Sequence, residues 1–365
     1  MTVATDTAAA RALRHSLADR LAAAGHGQRW VDAVRAVPRH LFVPLFHQQD
    51  GAGHWSTVTA EHSGYLEGAY ADRALTTQLT DGTPTSSSSE PGLMLTMLDA
   101  LAVRAGLRVL EVGTGTGYNA ALLAHVLGDT NVTTVDVDPE LTSLAGRRLA
   151  ATGYRPHVHT GDGAVGVADR APFDRVIATC GMRSIPWPWI EQAADGAVVV
   201  APLGWGLARI TVHDGHAHGR FLPQGTYFMA RRTPDAKPRF AELERTAATT
   251  TEVAAVEAVE RLQFPLALAL PGYRSVSWAD EKTGGTGRVG IWTADGSTAT
   301  ADSDGRVRQI GPRRLWDVVE ELHEQFPTSP AREDFGLTLT AGKQRVWWGT
   351  EDGPGWDLPA TPFAD

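Results

Sequence analysis

The sequence predicts an α/β protein built on a doubly wound, mostly parallel sheet, with a small α+β domain after it. Three observations carry that expectation. First, the apolar run of Val109, Leu110 and Val112 breaks into Gly113, Gly115 and Gly117 and resumes as the helix-favouring stretch 118–123. Second, two further strand-like runs, 131–137 and 157–160, lead into acidic residues, Asp136 and Asp162. Third, strand and helix signals beyond Arg232 no longer alternate as βα units, which sets the expected domains at 1–232 and 233–365.

A strand, a glycine-rich turn and a helix make either a ligand site or a tight turn with no ligand, and the acids that follow favour the ligand site. Glycines let the backbone bend sharply and let a ligand approach main-chain N–H groups without meeting a Cβ. An acid about twenty residues further on, here Asp136, can accept hydrogen bonds from both ribose hydroxyls of a nucleoside. Asp162, followed by Gly163, stands at the next strand end, where an acid can meet an adenine amino group. The dinucleotide pattern is G-x-G-x-x-G, whereas here the third glycine comes two residues after the second and Glu111 precedes the loop. E-x-G-x-G-x-G is the form found in class I methyltransferases that use S-adenosyl-L-methionine, with a Rossmann-like sheet. The candidate cofactor residues are therefore Glu111, Gly113, Thr114, Gly115, Gly117, Asp136, Asp162 and Gly163.

Composition removes other classes. A chain of 365 residues with 42% hydrophobic content can bury a proper core. Its net charge of −9 argues against wrapping a nucleic acid. A single cysteine, Cys180, excludes an intramolecular disulfide. His213, His216 and His218 sit among Gly and Asp as in a surface hairpin, and no metal-ligand spacing exists. No stretch reads as a membrane span, the small polar start at 2–10 lacks a signal-peptide core, and the expected location is cytoplasmic. Oligomeric state leaves no mark in the sequence.

In chain order, 12–24 places Leu13, Leu17 and Leu21 at i, i+4, i+8, an amphipathic helix ended by Gly25. A second helix over 28–37 stops at Pro38. Two prolines bracket 39–43, predicting an extended, docked segment with Arg39 and His40 on the surface. Residues 45–68 read as a long loop, a candidate functional flap. The serines at 86–89 resemble a flexible linker by composition. They lead directly into a helix over 93–101, however, where hydroxyls and N–H groups suit a carboxylate ligand. Beyond 232, Pro234 to Pro238 predicts a hinge, 242–262 a partly helical stretch, and 289–296 a hairpin. An amphipathic helix over 314–326 groups Leu315, Val318, Val319, Leu322 and Phe326, and strands follow at 335–339 and 344–348. The tryptophans of this region are expected in core packing rather than a peptide groove.

Taken together, the blocks VPRHLFVP (37–44), AYADRAL (69–75), a serine followed by x-Pro, and VLEVGTGTGYNAALL (109–123) resemble the protein-L-isoaspartate O-methyltransferase family. The resemblance continues through PFDRVIATC (172–180), IPWPWIEQ (185–192) and DGAVVVAPLG (195–204), and covers about 12–230. It implies that Ser89, before x-Pro, is the active-site serine, with Ser88 beside it. Ser86, Ser87, Tyr70 and Thr179 fall on the substrate side, Asp136 on the ribose acid (usually Glu) and Asp162 on the adenine side. Three departures border that substrate side: the longer segment before AYADRAL, the all-serine run, and Ala178-Thr179-Cys180-Gly181.

The block TPTSSSSEPGLM together with EVGTGTGYNAALL resembles the branch found beside ATP-grasp ligases in the maturation of ribosomally made peptides. That resemblance implies methylation of an aspartate in a macrocyclised precursor, then succinimide and isoaspartate or aspartate. The alternative is repair of isoaspartyl residues in damaged proteins.

Overall fold

The computed structural model describes residues 5–226, 228–229, 237–280 and 285–359. It contains two compact units. The first takes Met1–Cys180, Trp187–Ala201 and Arg209–Ala217, and the second takes Gly181–Pro186, Pro202–Ala208 and His218–Asp365.

The first unit opens with α1 (Ala8–Ala23) and α2 (Gln28–Ala36). Thr7 caps α1 by accepting the Ala10 N–H at 3.1 Å. The next segment is α3 (Arg39–Phe42), a single helical turn where extended chain was expected. Pro38 precedes it, a position where a missing N–H removes no helical bond. Arg39 and His40, expected on the surface, are 0% and 1% exposed.

The expected loop at 45–68 is ordered structure instead. β1 (Leu45–Gln49) pairs antiparallel with β2 (Trp55–Thr59), and α4 (Tyr65–Ala69) follows. Asp50 turns the hairpin by accepting the N–H groups of Ala52 and His54, both at 2.9 Å. β3 (Leu75–Thr80) and β4 (Thr83–Ser88) complete a four-stranded sheet in the order β2-β1-β3-β4. The serine run is thus a strand, with Leu75 opposite Ser88 and Gln78 opposite Ser86.

Then comes α5 (Pro91–Leu101) and the nucleotide-type sheet: β5 (Val109–Val112), α6 (Tyr118–Leu127), β6 (Val132–Asp136), α7 (Pro139–Ala151), β7 (His157–Thr160), β8 (Phe173–Ala178), α8 (Trp187–Glu191) and β9 (Ala193–Leu203). Strand order is β9-β8-β5-β6-β7, all parallel. The chain leaves β5 on one side through β6 and β7 and returns on the other side as β8. Strand order therefore reverses between β5 and β8, and open α/β sheets bind ligands at the carboxyl ends of the strands there. β10 (Gly206–His213) follows next to β9, and β11 (His216–Phe221) turns back after Asp214 and Gly215 as the expected histidine hairpin.

In the second unit, α9 (Phe240–Leu243), β12 (Thr249–Thr250), α10 (Ala255–Arg261) and α11 (Gln263–Ala269) lead to β13 (Arg274–Ala279), β14 (Thr286–Trp292), β15 (Thr298–Asp302) and β16 (Arg306–Ile310). A five-stranded sheet forms in the order β12-β16-β15-β14-β13. α12 (Leu315–Gln325) precedes an antiparallel ladder of β17 (Phe335–Thr340), β18 (Lys343–Trp348) and β19 (Gly355–Leu358). Its core is aromatic: Phe335 lies 5.1 Å from Phe264 and 5.8 Å from Phe326, ring centre to ring centre. Trp316 and Trp347 are buried, while Trp278 is 36% exposed. Residues 234–236 of the expected hinge lie outside the described residues.

Candidate active site

The glycine loop follows β5 at the point of strand reversal. Gly113, Gly115 and Gly117 all have positive φ, at 102°, 50° and 86°. Gly113 has a second reason to be glycine: a Cβ there would stand 2.5 Å from Thr179 Oγ1. The Thr179 hydroxyl donates to the Gly113 carbonyl at 2.7 Å, so the end of β8 braces the end of β5. Thr114 is buried and shares a 2.7 Å hydroxyl contact with Thr134 on β6. Gly117 packs on α7, with its missing Cβ 3.1 Å from Ala145.

Glu111, expected to touch the cofactor, is fully buried behind this loop. Its Oε1 accepts from Asn119 Nδ2 of α6 at 2.7 Å, and Oε2 has no hydrogen-bond partner among the described residues. Burial pushes its carboxyl up to about 7. Glu111 supports the loop from beneath, through Asn119.

Asp136 ends β6 with both oxygens turned to main-chain donors. Oδ2 accepts from Gly115 N at 3.0 Å and Oδ1 from Asp138 N at 3.1 Å. A carboxylate has about four acceptor positions, so two hydrogen bonds leave capacity for a pair of hydroxyls. Asp162 forms its own turn by accepting the Ala164 N–H at 2.8 Å. Gly163 permits close packing of this turn, since a Cβ would lie 2.5 Å from Val112 Cγ1. Beside the two acids stand Val137 and Val165, 50% and 59% exposed. Large apolar side chains left in water at two neighbouring strand ends suit the faces of a planar base.

Several supporting residues escaped the sequence reading. Trp189 donates its indole N–H to the Gly163 carbonyl at 2.7 Å and is itself fully buried. Gln192 holds the same turn at two points, accepting from Val167 N at 2.8 Å and donating to Val165 O at 2.7 Å. On the other flank, Gln78 of β3 donates to Asp138 at 3.3 Å, tying the β3–β4 hairpin to the turn after Asp136. For Trp189 and Gln192 the only signal was the IPWPWIEQ block, which gave no hint of which turn it would fasten, and Gln78 carried none.

The serine strand lies against the glycine loop. Around Gly115, the Ser87 carbonyl is 3.4 Å and the Ser86 hydroxyl 3.8 Å from the place a Cβ would occupy. Arg39 fixes the end of this strand. It donates to the main-chain carbonyls of Ala69 (3.0 Å), Ala71 (2.9 Å), Arg73 (3.1 Å), Ser88 (3.3 Å) and Ser89 (3.0 Å), and to the Ser88 hydroxyl. Tyr70, expected on the substrate side, is instead 2% exposed with its hydroxyl 2.7 Å from His40 Nδ1. Burial pushes that phenol up to about 12. At the start of α5, expected to greet a ligand carboxylate, one N–H is taken within the chain: Asp72 accepts from Gly92 N at 2.8 Å.

A glycine loop at the strand reversal, flanked by two acids at successive strand ends, defines the class I S-adenosyl-L-methionine-dependent methyltransferase fold. Comparison with known proteins narrows this. The family model for protein-L-isoaspartate(D-aspartate) O-methyltransferase matches residues 56–222. Protein-L-isoaspartate O-methyltransferase 2 of Anaeromyxobacter sp. (strain Fw109-5) is 36% identical over 193 residues, 52% of this chain and 69% of that protein. The enzyme of Dictyoglomus turgidum is 34% identical over 212 residues, 55% of this chain and 85% of that protein. The chain belongs to the protein-L-isoaspartate(D-aspartate) O-methyltransferase family and is an S-adenosyl-L-methionine-dependent carboxyl O-methyltransferase.

A solved protein-L-isoaspartate O-methyltransferase shares the fold with a TM-score of 0.56 and 21% identity, covering 92% of this chain and all of that one. The structural likeness therefore runs past Arg232, where the sequence resemblance stops. No helix among the described residues is long and apolar enough to cross a membrane.

Proposed function

We propose that this enzyme methylates the side-chain carboxylate of an aspartate in a ribosomally made, macrocyclised peptide, the product of an ATP-grasp ligase, in the cytoplasm. The observation that carries the reading is the all-serine strand laid against the glycine loop and held at its end by Arg39. The added β1–β2 hairpin, which extends the same sheet, supports a substrate side remodelled for one particular acceptor. Repair of isoaspartyl residues is the second reading, and the names of the relatives favour it.

Both readings share one chemistry. S-adenosyl-L-methionine supplies an electrophilic methyl group. The cradle fits it: the glycine turn for close main-chain approach, Asp136 for ribose hydroxyls, and Asp162 with Val137 and Val165 for the base. An acceptor carboxylate has a pKa near 4 and is already ionised at neutral pH, so no general base is needed. What remains is to hold one carboxylate oxygen in line and exclude water, the role assigned to Ser88 and Ser89. The methyl ester formed is a better leaving group than the acid. The following main-chain amide nitrogen then displaces methanol to close a succinimide, which hydrolyses to isoaspartate or aspartate without help from the enzyme.

The test is transfer of labelled methyl to an isoaspartyl peptide and to a macrocyclic, ester-linked aspartyl peptide, each followed by mass spectrometry. Methylation and loss of methanol on the macrocycle alone supports tailoring. Methylation of the isoaspartyl peptide alone overturns it in favour of repair.

A further inference from the structure

The four-stranded sheet beside the glycine loop carries no Asp, Glu, Lys or Arg in any of its strands, in a chain of which 21% is charged. Its outer edge is β2, which pairs with β1 alone among the described residues. Edge strands are normally guarded by charge, proline or a bulge, because their unpaired main-chain groups recruit other strands. β13, an edge of the five-stranded sheet, has Arg274 and a bulge at Trp278 and Ala279. β2 reads Trp55-Ser56-Thr57-Val58-Thr59 and has none of these guards.

The hairpin turn decides which groups face outward. Asp50 N donates to the His54 carbonyl at 3.0 Å, and main-chain bonds alternate along an antiparallel pair from that point. Ser56 and Val58 therefore bond inward to Gln48 and Phe46, while Trp55, Thr57 and Thr59 turn their N–H and C=O groups away from β1. Thr59 is closed off: its N–H donates to His62 Nδ1 at 3.1 Å, and its carbonyl accepts from His62 N at 2.9 Å. Half-buried Trp55 and exposed Thr57 keep theirs open among the described residues, a donor and an acceptor at each of two alternate positions. The edge is firmly seated. Phe46 of β1 is buried with its ring 6.2 Å from that of Tyr65, and a Cβ on Gly68 would stand 2.5 Å from it.

We propose that β2 is a docking edge for the acceptor peptide, where an extended, uncharged segment beside the methylated residue adds as a further strand. Main-chain bonds supply the grip, and strands without charged side chains give a charged segment no partner. The sheet joins this edge to the candidate acceptor strand: β4 sets the Ser87 carbonyl 3.4 Å from where a Cβ on Gly115 would stand. The added strand would lie four strand spacings from β4, about 19 Å, a gap that about six extended residues bridge. The family match begins at residue 56, so β1 and the turn that present the edge lie before it. A second copy pairing β2 with β2 would cover one five-residue strand per subunit, short of the roughly 1,200 Å² of a stable dimer. The docking edge deepens the proposed function and rests on its reading that a peptide carries the acceptor carboxylate.

The test uses an isoaspartyl peptide and a macrocyclic aspartyl peptide, each with uncharged Ser/Thr tails at both ends. The tails are of about twelve residues or of about three, the latter too short to bridge the gap. Calorimetry on the full chain with S-adenosylhomocysteine reads affinity. Long tails should tighten binding about tenfold over short ones, the net gain of a few main-chain bonds. Replacing the tail amides by esters removes the N–H donors, keeps the side chains and should cancel most of that gain. Thr57→Pro should bring the ratio close to one, because it removes an outward N–H and no bond to β1. Equal affinity of long and short tails overturns the proposal, and so does a gain that survives the ester tails. A protein that sediments as a dimer and becomes a monomer in Thr57→Pro also overturns it, giving the edge to a second copy. Should Thr57→Pro fail to fold, the ester tails decide on the unaltered enzyme. If the isoaspartyl peptide alone binds, the tailoring reading fails while the tails on that peptide still decide the docking edge.

Discussion

The Glu111 carboxyl accepts a hydrogen bond from Asn119 Nδ2 at 2.7 Å while completely shielded from water, linking strand β5 to the first turn of α6. Burial pushes the Glu111 carboxyl from an ordinary 4.5 to about 7. A raised carboxyl pKa means that the folded state binds a proton which the unfolded state has already lost between those two values. Stability from this group is therefore full below about pH 4.5 and falls until about pH 7. Glu111→Gln should remove that slope. The melting temperature of the variant relative to the parent should rise from pH 5 to pH 8, by an amount on the order of 3 kcal/mol in stability. A difference that stays flat across this range in differential scanning calorimetry would refute the buried protonated carboxyl.

Asp136 holds Gly115 N and is assigned to the ribose hydroxyls. Asp136→Ala should weaken S-adenosyl-L-methionine binding about 100-fold, since a charged acceptor and a loop anchor go together. Asp136→Asn keeps one acceptor oxygen and should lose about tenfold. Calorimetric titration checks both, and unchanged affinity in Asp136→Ala would sink the assignment.

Gly113→Ala meets two obstacles, a φ of 102° and the Thr179 hydroxyl 2.5 Å from the new Cβ. A cost of about 1–3 kcal/mol is expected from the backbone alone. Thr179→Ala in the same chain should recover only the clash. Denaturant titration of the single and double variants separates the two contributions.

Trp189→Phe keeps an aromatic ring in the core but leaves the Gly163 carbonyl without its indole donor. The expected loss is about 1–3 kcal/mol of stability. Cofactor affinity should fall with it, because the turn carrying Asp162 loosens. Equal affinity alongside lowered stability would show that the turn's shape does not depend on this bond.

The parallel sheet was legible because its strands are buried on both faces and read as plain apolar runs, and because a tight strand-to-helix turn needs glycine. Val109 and Val112, read as a buried strand, are 0% and 4% exposed. The β1–β2 hairpin was illegible for the opposite reason: most of its ten residues are half-exposed or exposed, so no alternation marks a buried face. β4 is concealed by serines and threonines, whose strand character here comes from pairing with β3 rather than from propensity. Arg39 was misplaced because arginine is almost never buried without an acid, and sequence alone shows no ring of carbonyls. Tyr70 and Glu111 were assigned to the ligand by their place in a motif, and both are buried in the scaffold around it. Of the candidate cofactor residues, the glycines, Asp136 and Asp162 do come together at the strand ends, a juxtaposition that follows from parallel topology alone.

Residues Gly181–Pro186 belong to the second unit although the first unit resumes immediately after them. Both main-chain groups of Ile185 are satisfied by one buried side chain, that of Gln344, which accepts from the Ile185 N–H at 2.9 Å and donates to its carbonyl at 2.6 Å. Those two bonds span 159 positions of sequence. A chain cut near residue 232 would leave the Ile185 amide and carbonyl stranded, at about 1–3 kcal/mol each where water cannot replace the lost partner. The segment between β8 and β9 thus takes its partner from far downstream, and it reaches its final bonding only once Gln344 has been made.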